Sequence, residues 1–165
     1  LCGQGLAREK NEFVETQYQT LCKAVVAAGA QAHWRETYKH TKVGQDFLNR
    51  FGCFTIIGPE GGFQSGQLWV WAVYMPPHLY YPCHEHPAEE SYLVIAGEAE
   101  FMRAGQAPRF LNPGDVIFHA AQQPHEAGVL AQRLWYLARA KRRHVIKRIT
   151  NFKAFPMAGR KNFKI

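Results

Sequence analysis

Between Tyr81 and Gly97 the chain reads Tyr-Pro-Cys-His-Glu-His-Pro-Ala-Glu-Glu-Ser-Tyr-Leu-Val-Ile-Ala-Gly, which concentrates imidazole, carboxylate and phenol in one short stretch. Side chains two apart in an extended strand share a face, so His84 and His86 point the same way and can hold one ion between them. Glu90 and Tyr92 keep the same even parity, with Pro87 and Ala88 bending the chain between two strands. Two neutral imidazoles plus a carboxylate suit a divalent first-row metal and leave positions open for water or substrate.

A second segment, Pro113-Gly114-Asp115-Val-Ile-Phe-His119-Ala-Ala-Gln-Gln-Pro124-His125, supplies a turn, a strand and a histidine after proline. His119 lies on the strand leading to His125, and either a role in the site or simple packing fits it. His33, His40, His78 and His144 have no such company and read as ordinary residues. Cys83 has odd parity and is expected to point away from His84 and His86.

These residues need a scaffold of strands. After Phe51 the texture is one of short runs rich in β-branched and aromatic residues, separated by clusters such as Gly58-Pro59-Glu60-Gly61-Gly62. Strands are expected at 54–57, 68–74, 79–86, 91–95, 99–103, 115–119 and 129–138. Many short strands without intervening helices mean an antiparallel sandwich or barrel. Upstream, helical spacing of Val14, Tyr18, Leu21, Cys22, Val25 and Val26 predicts a helix over 11–28 with Gly29 as its cap. Two more helices are expected at 31–40 and 45–50, punctuated by Gly44. Trp69, Trp71, Trp135 and Phe54 read as core. The resulting plan is a helical segment over 1–50 packed on a barrel over 51–140, with a basic tail over 141–165.

With both motifs in view, the chain resembles the cupins, whose first motif is His-x-His, three or four residues, Glu, six residues, Gly. Here His84, His86, Glu90 and Gly97 match it, while Pro113-Gly114-Asp115 and His125 stand for the second motif, without its usual opening glycine and without an Asn after the histidine. Within cupins, Tyr81-Pro82-x-His84-x-His86-Pro87-Ala88-Glu89-Glu90-x-Tyr92 resembles the metal-site signature of the dimethylsulfoniopropionate lyases. The resemblance implies a mainly β, double-stranded β-helix barrel with N-terminal helices. It also implies one divalent metal ion, Fe(II), Zn(II) or Mn(II), on His84, His86, Glu90 and His125. Cleavage of a small zwitterionic substrate to dimethyl sulfide and acrylate would follow, with Tyr92 or Tyr81 removing the α-proton. A tyrosine beside a metal can have its ordinary pKa of roughly 10 lowered enough to serve as that base. Parity alone does not choose Tyr81 over Tyr80, because Pro82 interrupts the count; the resemblance prefers Tyr81.

Composition bounds the alternatives. With 47% hydrophobic and 13% aromatic residues, the chain has the material for a core. No stretch is long and apolar enough to span a bilayer, so no membrane partner is expected. Of the formal +7, ten Lys or Arg and no acid fall after Ala138, which leaves Leu1 to Ala138 at −3. The basicity is therefore that of a tail, and no nucleic-acid recognition motif accompanies it. Cys2, Cys22, Cys53 and Cys83 form no CxxC pair, and no signal segment opens the chain, which fits the cytoplasm. A homodimer is compatible with the sequence. Two rival readings share the same residues: a ferrous cupin dioxygenase, and a non-catalytic cupin that binds a small ligand.

Overall fold

The computed structural model describes residues 18–39 and 41–141. Within them, the shift from helical to period-two patterning seen after Phe51 becomes nine strands: β1 (Gly52–Ile57), β2 (Leu68–Met75), β3 (Tyr80–His84), β4 (Glu90–Ala96), β5 (Ala99–Arg103), β6 (Arg109–Leu111), β7 (Val116–His119), β8 (His125–Val129) and β9 (Leu134–Lys141). They pair antiparallel into a five-stranded sheet, β1-β2-β9-β4-β7, and a four-stranded sheet, β3-β8-β5-β6. The two sheets face each other in the cupin double-stranded β-helix, and the main core, including Val73, Met75, Val94, Phe101, Leu111 and Leu134, fills the space between them.

One expected strand changes and two unforeseen ones appear. The run foreseen over 129–138 is broken, because β8 ends at Val129 and β9 begins only at Leu134. His125–Val129 is itself a strand, hidden from the sequence because all five residues are buried and none of the usual in-out alternation survives. The three-residue edge strand β6 carries too little pattern to be seen.

Helix α1 (Gln19–Gly29) buries Cys22 and Val25 against Phe54, Ala72, Ile95 and Trp135 on the outer face of the five-stranded sheet. Its expected start over 11–17 lies outside the described residues, as do Cys2, His40, His144 and the basic tail beyond Lys141. Gly29 remains helical, and the cap position falls on Ala30. The reason is visible in Trp34, whose indole N–H donates to the Gly29 carbonyl at 2.8 Å and satisfies the last turn from outside.

The helix expected over 31–40 is absent from the described residues of that span. Trp34 forms an isolated bridge with Phe54, and the Arg35 N–H donates to the Cys53 carbonyl at 2.8 Å. Docking on β1 and burial of Tyr38 thus override local helical propensity. Helix α2 (Gln45–Arg50) forms as expected, behind Gly44 at φ +100.

Gly97 closes the β4–β5 turn at φ +80, and a Cβ there would lie 2.0 Å from the Arg133 carbonyl oxygen. Both conformation and space require glycine at this motif position.

Candidate active site

Residues that are near in sequence reach the site from different sheets. His84 ends β3 in the four-stranded sheet, and Glu90 opens β4 in the five-stranded one, so the connector carrying His86 crosses between the layers. Register does the rest. His84 pairs with His125 across β3 and β8, which brings the two imidazoles side by side, ring centroids 4.2 Å apart and tilted by 58°. One ring nitrogen from each of His84, His86 and His125 falls within 4.8 Å of the others, and all three residues are buried.

The chain also fixes which nitrogen each ring offers. Nδ1 of His84 donates to the Pro82 carbonyl at 2.9 Å, that of His86 to Ala88 at 3.0 Å, and that of His125 to Gln123 at 2.8 Å. A carbonyl can only accept, so each Nδ1 carries hydrogen and each neutral ring presents the lone pair of Nε2. Burial, reinforced by the neighbouring imidazoles, pulls the pKa of His84 down to about 3 and that of His125 well below its ordinary value. Both rings stay neutral, as a metal ligand must be.

Glu90 supplies the counter-charge. Its Oε2 lies 3.1 Å from His86 Nε2 and accepts a hydrogen bond from the Tyr92 hydroxyl at 2.6 Å. Burial opposes charge on His86, yet the Glu90 carboxylate wins and raises its pKa. With Nδ1 committed to Ala88, a neutral His86 would turn a lone pair toward a carboxylate lone pair. That contact calls for a proton or a cation between the two groups, so the donor set fits a divalent metal.

Tyr92 also stands 3.3 Å from His125 Nε2. Burial, then the charge of Glu90, pushes its pKa well above the ordinary phenol value, and burial does the same to Tyr81. The protein's own groups therefore act against the lowered tyrosine pKa expected from the sequence, and any lowering must come from a cation.

Tyr81 faces the same space although it sits three residues before His84. The β3–β8 register shifts between Tyr81 and His84, and this bulge at Pro82 brings odd Tyr81 and even His84 to one face. Tyr81 stacks on His84 with ring centroids 4.2 Å apart. Tyr80 turns instead to Glu126, donating to its carboxylate at 2.5 Å.

A cavity of about 380 Å³ opens beside this cluster, bordered by His86, Glu90, Tyr92, Tyr81, Tyr38 and Tyr136. Its volume lies in the range of small-molecule sites. Trp69 and Trp71, expected as core in preference to a substrate cage, also line it, as do His33 and Arg35. Phe54 and Trp135 belong to the outer apolar layer. His119 is fully buried and stacks on His125 at 4.1 Å, outside the three-histidine group; burial holds its pKa down to about 2. Cys22, Cys53 and Cys83 are free thiols, and Cys53 borders the cavity. Sequence reasoning missed Tyr136, although its alternation with Leu134 and Ala138 marks an inward face. It also missed Tyr38, for which no periodic signal exists.

Residues 3–132 match the family model of the dimethylsulfoniopropionate lyases. The chain belongs to that family. Over 114 residues it is 49% identical to dimethylsulfoniopropionate lyase DddQ of Ruegeria pomeroyi, a match covering 69% of this chain and 57% of that protein. The chain thus spans little more than half the length of that curated relative. The crystal structure of the same Ruegeria pomeroyi lyase superposes with a TM-score of 0.78 at 42% identity, covering 84% of this chain and 71% of the other. One chain among the crystal structures described as those of the lyases RdDddP and RnDddQII gives 0.77 at 37% identity, with the same coverage. KdgF from Halomonas sp., 16% identical with a TM-score of 0.53 over 69% of this chain and 91% of its own, shares the fold alone. Among the described residues of this family member, no helix is long and apolar enough to cross a membrane.

Proposed function

We propose that this chain is a metal-dependent lyase that cleaves dimethylsulfoniopropionate by β-elimination to dimethyl sulfide and acrylate. The observation that carries the reading is the convergence of three backbone-tethered imidazoles with the Glu90–Tyr92 pair at the wall of an aromatic cavity. His84, His86, Glu90 and His125 would hold one Fe(II), Zn(II) or Mn(II). Bound there, the ion supplies Lewis-acid neutralisation of the charge that grows on the substrate carboxylate, and a positive charge that favours tyrosinate.

The chain's own residues supply the proton transfers. Tyr92 donates its hydroxyl hydrogen to Glu90 Oε2, which fixes the phenol oxygen beside the site; with that proton released to solvent under the charge of a bound cation, the phenolate would be the base. Tyr92 Oη then takes the α-proton. The electron pair of that C–H bond becomes the double bond of acrylate, and the C–S bond breaks with its pair remaining on sulfur as neutral dimethyl sulfide. Tyr81, on the neighbouring wall, orients the substrate. The faces of Trp69 and Trp71 suit the sulfonium, and Trp71 already serves a cation, since the Arg35 guanidinium lies 5.7 Å from its ring centroid.

Anaerobic incubation of the purified protein with substrate and each metal in turn, followed by headspace detection of dimethyl sulfide and quantification of acrylate, tests the reading. Equal amounts of both products are expected, without oxygen. Product formed only as oxygen is consumed would replace the lyase by a cupin dioxygenase. Elemental analysis of His86→Ala, Glu90→Ala and His125→Ala should show an emptied site; full occupancy in all three would remove the metal assignment.

A further inference from the structure

Tyr38 belongs to no strand and to neither helix, yet it is only 5% exposed and its hydroxyl is hydrogen-bonded to that of Tyr81. Three features hold it there. The Arg35 N–H is anchored on the Cys53 carbonyl, and Thr41 donates to the Tyr38 carbonyl through both its backbone N–H at 3.0 Å and its hydroxyl at 2.8 Å. Around the phenol, Phe47 and Phe51 pack on Tyr38 at 5.6 and 5.5 Å between ring centroids and on Tyr81 at 5.0 and 5.4 Å. The two tyrosines are thus gripped by the same pair of rings.

Arg35, Glu36, Thr37 and Tyr38 line both the site cavity and a neighbouring cavity of about 580 Å³. The segment is a partition between the two spaces, and Tyr38 puts its polar atom on the site side, against Tyr81. A phenol ring held by stacking on His84 still has a hydroxyl whose hydrogen can swing about the C–O bond. A fixed partner restricts that swing, and a misdirected group in a site costs rate more than binding.

We propose that Tyr38 is a positioning residue for the Tyr81 hydroxyl, so that the segment 35–38, outside the barrel strands, completes the active site. The proposal rests on the lyase reading and on Tyr81 facing the substrate. A mere packing role would act through the rings, which a change to phenylalanine preserves, whereas positioning acts through the oxygens.

The test is a double-mutant cycle on the full chain with its metal, comparing wild type, Tyr38→Phe, Tyr81→Phe and the double variant. Tyr38→Phe should lower kcat on the order of 10- to 100-fold with KM little changed. The double variant should be no slower than Tyr81→Phe alone, because Tyr38 acts only through Tyr81. Metal content and circular dichroism accompany each protein; if Tyr38→Phe does not fold, Tyr38→Met takes its place. Normal kcat in the folded Tyr38 variant, or losses that multiply in the double variant, overturns the proposal while leaving the lyase reading intact. A wild type that releases no dimethyl sulfide with any of the three metals overturns the lyase reading, and the positioning role with it.

Discussion

On the outer face of the five-stranded sheet, Phe54, Ala72, Ile95 and Trp135 meet Cys22 and Val25 of α1 in an apolar layer. An odd number of residues along the same strands, one for Cys53, Trp71 and Tyr136 and three for Tyr92, lie the side chains that border the cavity on the inner face. The strands are shared, and only parity separates the two sets. The outer layer does what area burial does, stabilising by roughly 25 cal/mol per Å² of apolar surface. The inner face buries phenols and imidazoles whose ionisation burial opposes, which is costly for folding and useful for holding a cation.

If chemistry lives on the inner face and stability on the outer one, substitutions should separate them. Tyr92→Phe keeps the ring and removes the oxygen, so turnover should fall on the order of 10²- to 10⁴-fold, as for loss of a general base. Metal content should persist, and the melting temperature should drop modestly, since Glu90 loses one donor. Headspace kinetics and elemental analysis on one preparation check both halves, and near-normal turnover would end the assignment of Tyr92.

Trp135→Ala, one position before Tyr136 and fully buried, should do the reverse. A cavity of that size costs about 3–5 kcal/mol of stability. Turnover per folded, metal-loaded molecule should stay unchanged, as denaturant titration alongside active-site counting would establish. A selective loss of kcat would show that the two faces are not independent.

The gentlest probe is pH. His84, His119 and His125 have lowered pKa values in the fold, near 3 for His84 and near 2 for His119, whereas an unfolded histidine titrates near 6.5. Below about pH 6.5 the unfolded chain therefore binds protons that the native rings refuse, and native stability falls as pH falls. Each ring contributes up to about 1.4 kcal/mol per pH unit in that window. His86, raised by Glu90, works in the opposite sense and offsets part of the loss. Melting curves of the metal-free protein between pH 7 and 4, a window chosen from these directions, should show the decline. A flat profile would mean that the inner face is not the desolvated environment described here.

The sequence was informative where function coincides with strand periodicity. His84, His86 and Glu90 are spaced by a pleat and a connector, and the barrel brings His125 opposite His84 as a register partner. Tyr38 was illegible because its position depends on Trp34 docking against Phe54 and on Arg35 bonding to Cys53, contacts between segments that no local pattern encodes. β8 was missed for a different reason: with both faces covered, His125–Val129 shows no alternation, and its Gly128 weakens any β signal. The aromatic roles of Trp69 and Trp71 split in the fold, since a side chain can wall a cavity and fill a core at once.

The bulge at Pro82 has an evolutionary reading. It absorbs an extra residue, so that Tyr81 faces inward while His84 keeps its place opposite His125. A single-codon deletion between Tyr81 and His84 would restore regular pleating and leave the two residues two apart, still on one face, because their partners Ala127 and His125 are already two apart on β8. Metal capture and phenol delivery thus both tolerate a change of length at this point of β3, because pairing across β8, and not the residue count along β3, decides which face each side chain takes.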